Sequence, residues 1–139
     1  MSSVATTFRT GLHEVSFTPP CIVTIVWNGD VSDEEARAVA TWYVPHSGRA
    51  TSIWATDLSR LGKMSSAASS SLGAMPPAPV PSRRIRCGYA GANLRTKITV
   101  QFIQALARYT TEDELSAHFF DTMEQLQVWA RREAARITS

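Results

Sequence analysis

The run Cys21-Ile22-Val23-Thr24-Ile25-Val26-Trp27 constrains this chain more than any other segment. It is nearly continuous in β-branched and apolar residues, so it lacks the alternation of a strand with one wet face. That pattern suits a central strand covered on both sides, with Ile22 to Val26 kept from solvent. A strand of this kind needs a neighbour on each edge and helices above and below it.

The flanking sequence supplies both. From Gly11 to Phe17, His13, Val15 and Phe17 alternate with Glu14 and Ser16, the period of a strand with one dry face. Pro19-Pro20 ends it, and so short a connection makes the first two predicted strands antiparallel. After the turn Asn28-Gly29-Asp30, Ser32-Asp33-Glu34-Glu35 forms a capping box with an acidic first turn. Ala36, Val39, Ala40 and Tyr43 then recur at helical spacing, and Pro45 to Gly48 closes that helix. Thr51 to Thr56 is a third strand, with Asp57-Leu58-Ser59 leaving its carboxyl end. Met64 to Met75, rich in Ser and Ala, reads as a short helix, and the prolines from Pro76 to Pro81 impose an extended chain.

Ile85 to Ala90 is a fourth strand. Asn93 to Tyr109 is a strong helix, with Ile98, Phe102, Ala105, Leu106 and Tyr109 as its expected core face. Leu115, Ala117 and Phe119 alternate as a fifth strand. The final helix carries Met123, Leu126, Ala130, Ala134 and Ile137 on one side and starts at a second capping box, Thr122 to Gln125. The expectation is an α/β domain over residues 1–139, with about the first ten as a flexible lead. Its sheet is five-stranded, mixed and mostly parallel, with about four helices in the order β-β-α-β-α-β-α-β-α.

Composition narrows the function. The chain has 139 residues, 44% of them apolar and 19% charged, an ordinary balance for a domain with a core. Net charge is +2, too weak for the clustered basic footprint of a nucleic-acid binder. Met1 to Thr10 lacks the apolar run of a signal peptide, and no apolar stretch is long enough for a membrane span, so no membrane insertion is expected. Cys21 and Cys87 lie in separate apolar runs and read as buried free thiols of a cytoplasmic protein.

Chemistry-bearing motifs are sparse. His13, His46 and His118 stand outside metal-ligand spacing, so no metal is expected, and Gly88-Tyr89-Ala90-Gly91 lacks the third glycine of a nucleotide fingerprint. There is no Gly-x-Ser-x-Gly elbow. No catalytic residue and no cofactor are assigned. Arg83, Arg84 and Arg86 read as a solvated approach to a strand, with a docking patch for an acidic partner as the alternative. Arg131, Arg132 and Arg136 suit a helix C-terminus. Four tryptophans are many for this length. Trp27 and Trp54 are core candidates, and Trp42, one residue off its helix stripe, is a candidate interface anchor.

Ser65 to Ser71 departs furthest from core patterning, with five serines in seven residues. It suits a capped helix start, with Ser65 or Ser66 as the cap, and equally a site where phosphate would add charge to a binding surface.

In element order, in Gly29-Asp30-Val31-Ser32 before the first helix, and in Asp57-Leu58-Ser59 followed by Met64, the chain resembles STAS-type domains. It is similar to bacterial anti-sigma-factor antagonists and related stand-alone STAS-like proteins. Matching through Asp57, Leu58, Ser59 and Met64 sets the family's phosphorylated serine on Ser66. Ser65 stands where the family has Asp, and Ala67 and Ala68 stand where it has Ser and Gly. The resemblance implies a non-enzymatic regulatory module, phospho-switched at the start of the second helix, whose protein partner is a kinase or other signalling protein. A homodimer stays open, as does a second class: a carrier of a small apolar or lipid ligand. An apolar cavity between sheet and helices would favour the carrier, and a packed core with exposed apolar residues near Ser65 to Met75 the module.

Overall fold

The computed structural model describes residues 6–19, 21–46, 51–73, 84–110 and 114–138. Strands β1 (Thr6–Thr10) and β2 (His13–Thr18) form an antiparallel hairpin paired from Thr6 opposite Phe17 to Thr10 opposite His13. A two-residue connection of this kind needs a positive φ, which Gly11 supplies at 58°. β3 (Ile22–Val31) continues antiparallel to β2. Then follow α1 (Asp33–His46), β4 (Thr51–Met64), α2 (Ser66–Gly73), β5 (Arg84–Ala90), α3 (Leu94–Thr110), β6 (Glu114–Phe120) and α4 (Met123–Thr138). The sheet order is β1-β2-β3-β4-β5-β6, parallel from β3 onward.

Among the described residues this is the expected α/β class with four helices, corrected to six strands. The additional strand, β1, lies in the segment expected to be a flexible lead. Its sequence is Thr-Thr-Phe-Arg-Thr, and only Phe8 and Thr10 are more than superficially covered. One apolar side chain in an edge strand leaves no periodicity to detect, although Phe8 stacks on Trp42 of α1 with ring centroids 6.0 Å apart.

A second correction concerns β4, which does not stop at Thr56. Asp57 lies opposite Val26 and Arg60 opposite Asn28, three residues against two, and the same slip recurs between Leu61 and Met64. Two bulges therefore let the strand run on beside Asn28–Val31, past the last β5 pair, Asp57 with Ala90. Asp30 pins this ribbon by accepting the Lys63 amide at 2.7 Å.

Each face of the sheet carries its own apolar cluster. Val23, Ile25 and Trp27 of β3 meet Trp54, Leu58, Ile85 and Cys87, under Ala36 and Val39 of α1, Ala68 of α2, and Val100 and Ala107 of α3. Ile53, Ala55 and Ala90 face the other way, against Leu126, Ala130 and Ala134 of α4. The expected apolar stripes of α1 and α4 are thus core, where their side chains are described. At Gly88 a Cβ would lie 2.3 Å from Leu126 and 2.7 Å from the Trp129 ring, so the glycine admits α4 against β5. Pro76 to Pro81 and the end of the Met64–Met75 segment lie outside the described residues.

The third correction is the orientation of α3. Its buried face is Val100, Gln104 and Ala107, with Ile103 half-buried. Of the expected core face, Ile98, Phe102 and Ala105 point away from the sheet, Leu106 is half-buried, and the side chain of Tyr109 lies outside the described residues. The helix has two apolar faces, and the sheet takes the one built of smaller residues.

Candidate functional site

In a parallel sheet every helix starts at the carboxyl end of the strand before it, so ligand sites gather along that rim. Here the rim amides are capped from within the chain. Ser32 Oγ accepts the Glu35 amide at 3.1 Å while Glu35 accepts the Ser32 amide at 3.0 Å. Asn93 Oδ1 takes the Thr96 amide at 2.9 Å, and Thr122 with Gln125 completes a third cap at 3.2 and 3.4 Å. Ser32's amide donation holds the Glu35 carboxyl below the usual glutamate value, against a smaller opposing effect of burial.

α2 is capped by Ser65, whose Oγ accepts the Ala68 amide at 3.0 Å. Ser66 is the first helical residue, and its side chain is exposed. Ala68 and Ser69 are buried, so α2 lies close against its neighbours through small side chains, and Ser71 hydrogen-bonds to Asp33 of α1.

The other sequence-predicted site residues are strung along β4. Asp57 Oδ1 accepts from the Ser59 amide at 3.0 Å and from Ser59 Oγ at 2.7 Å, a local turn at the first bulge. Gly91 comes so close that a Cβ there would sit 2.9 Å from Ser59 Cα. Met64 ends the strand, half-buried. At about 3.3 Å per strand residue, Asp57 and Ser66 stand on the order of 20 Å apart. The strand's extension draws the motif out, so Ser65 and Ser66 form one place and Asp57 with Ser59 another.

Between these places lies a cavity of about 80 Å³ under α2 and α3, lined among others by Trp27, Trp54, Leu61, Met64, Tyr89 and Val100.

The remaining candidates serve the fold. His13 is buried, accepting the Asn28 amide at Nδ1 (3.0 Å), which leaves Nε2 to donate to the Asp30 carbonyl at 3.0 Å. His118 packs against Trp129 with centroids 5.1 Å apart. The side chain of His46 lies outside the described residues. Among those residues no three His, Cys, Asp or Glu side chains gather as a metal site would require. Arg84 pairs with Glu114 and Arg86 with Glu133, each at 3.2 Å, so these two are spent on internal partners; Arg83 lies outside the described residues. Cys21 and Cys87 form no disulfide and belong to opposite faces of the sheet, and burial pushes the Cys87 thiol up to about 12. Trp42 is half-buried against Phe8.

What sequence reasoning missed is the outer face of α3. Leu94 is 76% exposed, Ile98 59% and Phe102 50%, at positions i, i+4 and i+8. With Ala105 they fall within about 80° at 100° per residue, opposite Val100 and Ala107. Single exposed apolar residues are ordinary; these three in register form one continuous apolar stripe on the surface. The signal was present in the periodicity, but Val100, Ile103 and Ala107 make a second, equally regular stripe. Periodicity alone does not say which of two stripes faces the sheet. No known family model, curated protein or solved structure matches the chain.

Proposed function

We propose that the chain is a non-enzymatic regulatory module that binds a partner protein across the start of α2 and the outer face of α3. It resembles the anti-sigma-factor antagonists in this reading, and Ser66 is its phosphorylation switch. The observation that carries the proposal is the exposed stripe Leu94, Ile98 and Phe102 on the helix packed beside α2. Ser66 supports the switch because its neighbour Ser65 does the capping, which frees the Ser66 hydroxyl for modification. A phosphate there is favoured locally by the helix N-terminus and adds nearly two negative charges beside the docking face.

The carrier reading has one observation in its favour, the apolar cavity. At about 80 Å³ it is smaller than the roughly 150 Å³ that admits benzene in an engineered apolar core. A lipid chain would require α2 and α3 to part, so the exposed stripe favours the module. The test is to isolate the partner from the native host and compare wild type, Ser66→Ala and Ser66→Asp for binding and melting together. Weaker binding by Ser66→Asp alone, at equal stability, supports the switch. Equal affinity across all three sinks it.

A further inference from the structure

We infer that the occupant of the α3 outer face is an acidic amphipathic helix of the partner protein, a step that rests on the interaction-module reading above. Leu94, Ile98 and Phe102 run about 12 Å along the helix axis at 1.5 Å per residue. A narrow ridge of that length and spacing matches the stripe of a second helix better than an extended strand. Beside it, the exposed side chains at the start of α2 are small: Ser66, Ala67 and Ser70. A second helix can therefore approach α3 closely on that side.

Charge selects the partner. α3 carries Arg95, Lys97 and Arg108 and no carboxylate. Among the described residues Arg9, Arg37, Arg84, Arg86 and Arg136 each pair with an acid, whereas the three cations of α3, like Arg60, Lys63, Arg131 and Arg132 outside it, have no carboxylate partner. Two of them are held in place by uncharged partners. Lys97 sits over the Phe119 ring, 5.5 Å from its centroid, and Arg108 donates to Gln104 Oε1 and to the Leu115 carbonyl at 3.3 Å. Fixed cations flanking an apolar ridge select carboxylates on the incoming helix.

The same cations disfavour a second copy. An antiparallel two-fold pairing of the stripe on itself, centred at Ile98, sets Lys97 of one copy beside Lys97 of the other, a like-charge contact at the symmetry axis. An anionic bilayer would suit the charge, but an interfacial helix buries a long apolar face, and three side chains over about 12 Å make a short one.

The experiment displays helical peptides of about five turns, their apolar face fixed as Leu and their flanking positions drawn from Glu, Gln and Lys, and selects them on the whole chain. Wild type is expected to enrich Glu over Lys by about tenfold, an enrichment that added salt weakens. Arg95→Glu is expected to shift the preference toward Lys, and Ile98→Ser with Phe102→Ser to abolish enrichment without altering the melt, since both side chains are exposed. Equal recovery of Glu and Lys peptides that is still lost in the double variant overturns the charge inference and leaves the docking face standing. Recovery that is equal for wild type and double variant overturns both. Co-sedimentation with phosphatidylserine–phosphatidylcholine vesicles, or self-association at micromolar concentration, either one lost in the double variant, identifies a membrane or a second copy as the occupant and overturns the proposal.

Discussion

Ser65 and Ser66 are adjacent, exposed and chemically identical, yet the structure gives them different work. Ser65 accepts the Ala68 amide at 3.0 Å and is the cap of α2, whereas Ser66 points outward. Ser65→Ala is therefore expected to lower stability by about 1 kcal/mol, and Ser66→Ala to leave it nearly unchanged. Parallel thermal melts check this, and equal losses would contradict the assignment. The cap of α1 gives a pH prediction. Glu35 is held below the usual glutamate value, chiefly by the Ser32 amide. A depressed folded-state value means that the charged form favours folding. That contribution is complete above the unfolded value of about 4.3 and is lost as pH falls through the folded value. Acid unfolding of wild type and Glu35→Gln should therefore converge at low pH and separate above it. A gap that widens on acidification would overturn this account of the cap.

At the scale of elements, α4 depends on a missing side chain. A Cβ at Gly88 would meet Leu126 at 2.3 Å and Trp129 at 2.7 Å. Gly88→Ala should cost about 1–3 kcal/mol and perturb the near-ultraviolet signal of Trp129 as the helix is displaced. An unchanged spectrum and melt would mean that α4 does not seat there. The sequence made some elements legible and others not, for separate physical reasons. α1 and α4 each have a single apolar stripe, so their buried faces follow from periodicity alone. β1 was illegible because Phe8 is its only large apolar residue. β4 looked finished at Thr56 because Asp57, Ser59 and Gly62 are turn formers; only pairing with Asn28–Val31 keeps the strand going. That extension also pulled apart a site that had read as one short motif. α3 was assigned correctly as a helix and turned the wrong way, and its misplaced face became the leading functional candidate.

Taken as a whole molecule, the sheet sorts its faces by chain order. Among the described residues, the helices that follow β3, β4 and β5 cover one side together, and α4 covers β4 to β6 on the other. In the three-helix layer, the outer surface of α3 is left apolar beside the small residues of α2. A chain with no reason to bind there would gain by making Leu94, Ile98 and Phe102 polar, since their exposed surface adds little to the core and risks aggregation. The central claim is therefore that this stripe is a binding face, and affinity for the isolated partner tests it most directly. Ile98→Ser with Phe102→Ser should weaken binding by about thirtyfold or more, the ~2 kcal/mol of an interface hot spot, with the melting temperature unchanged. Unchanged affinity at unchanged melting would contradict the account.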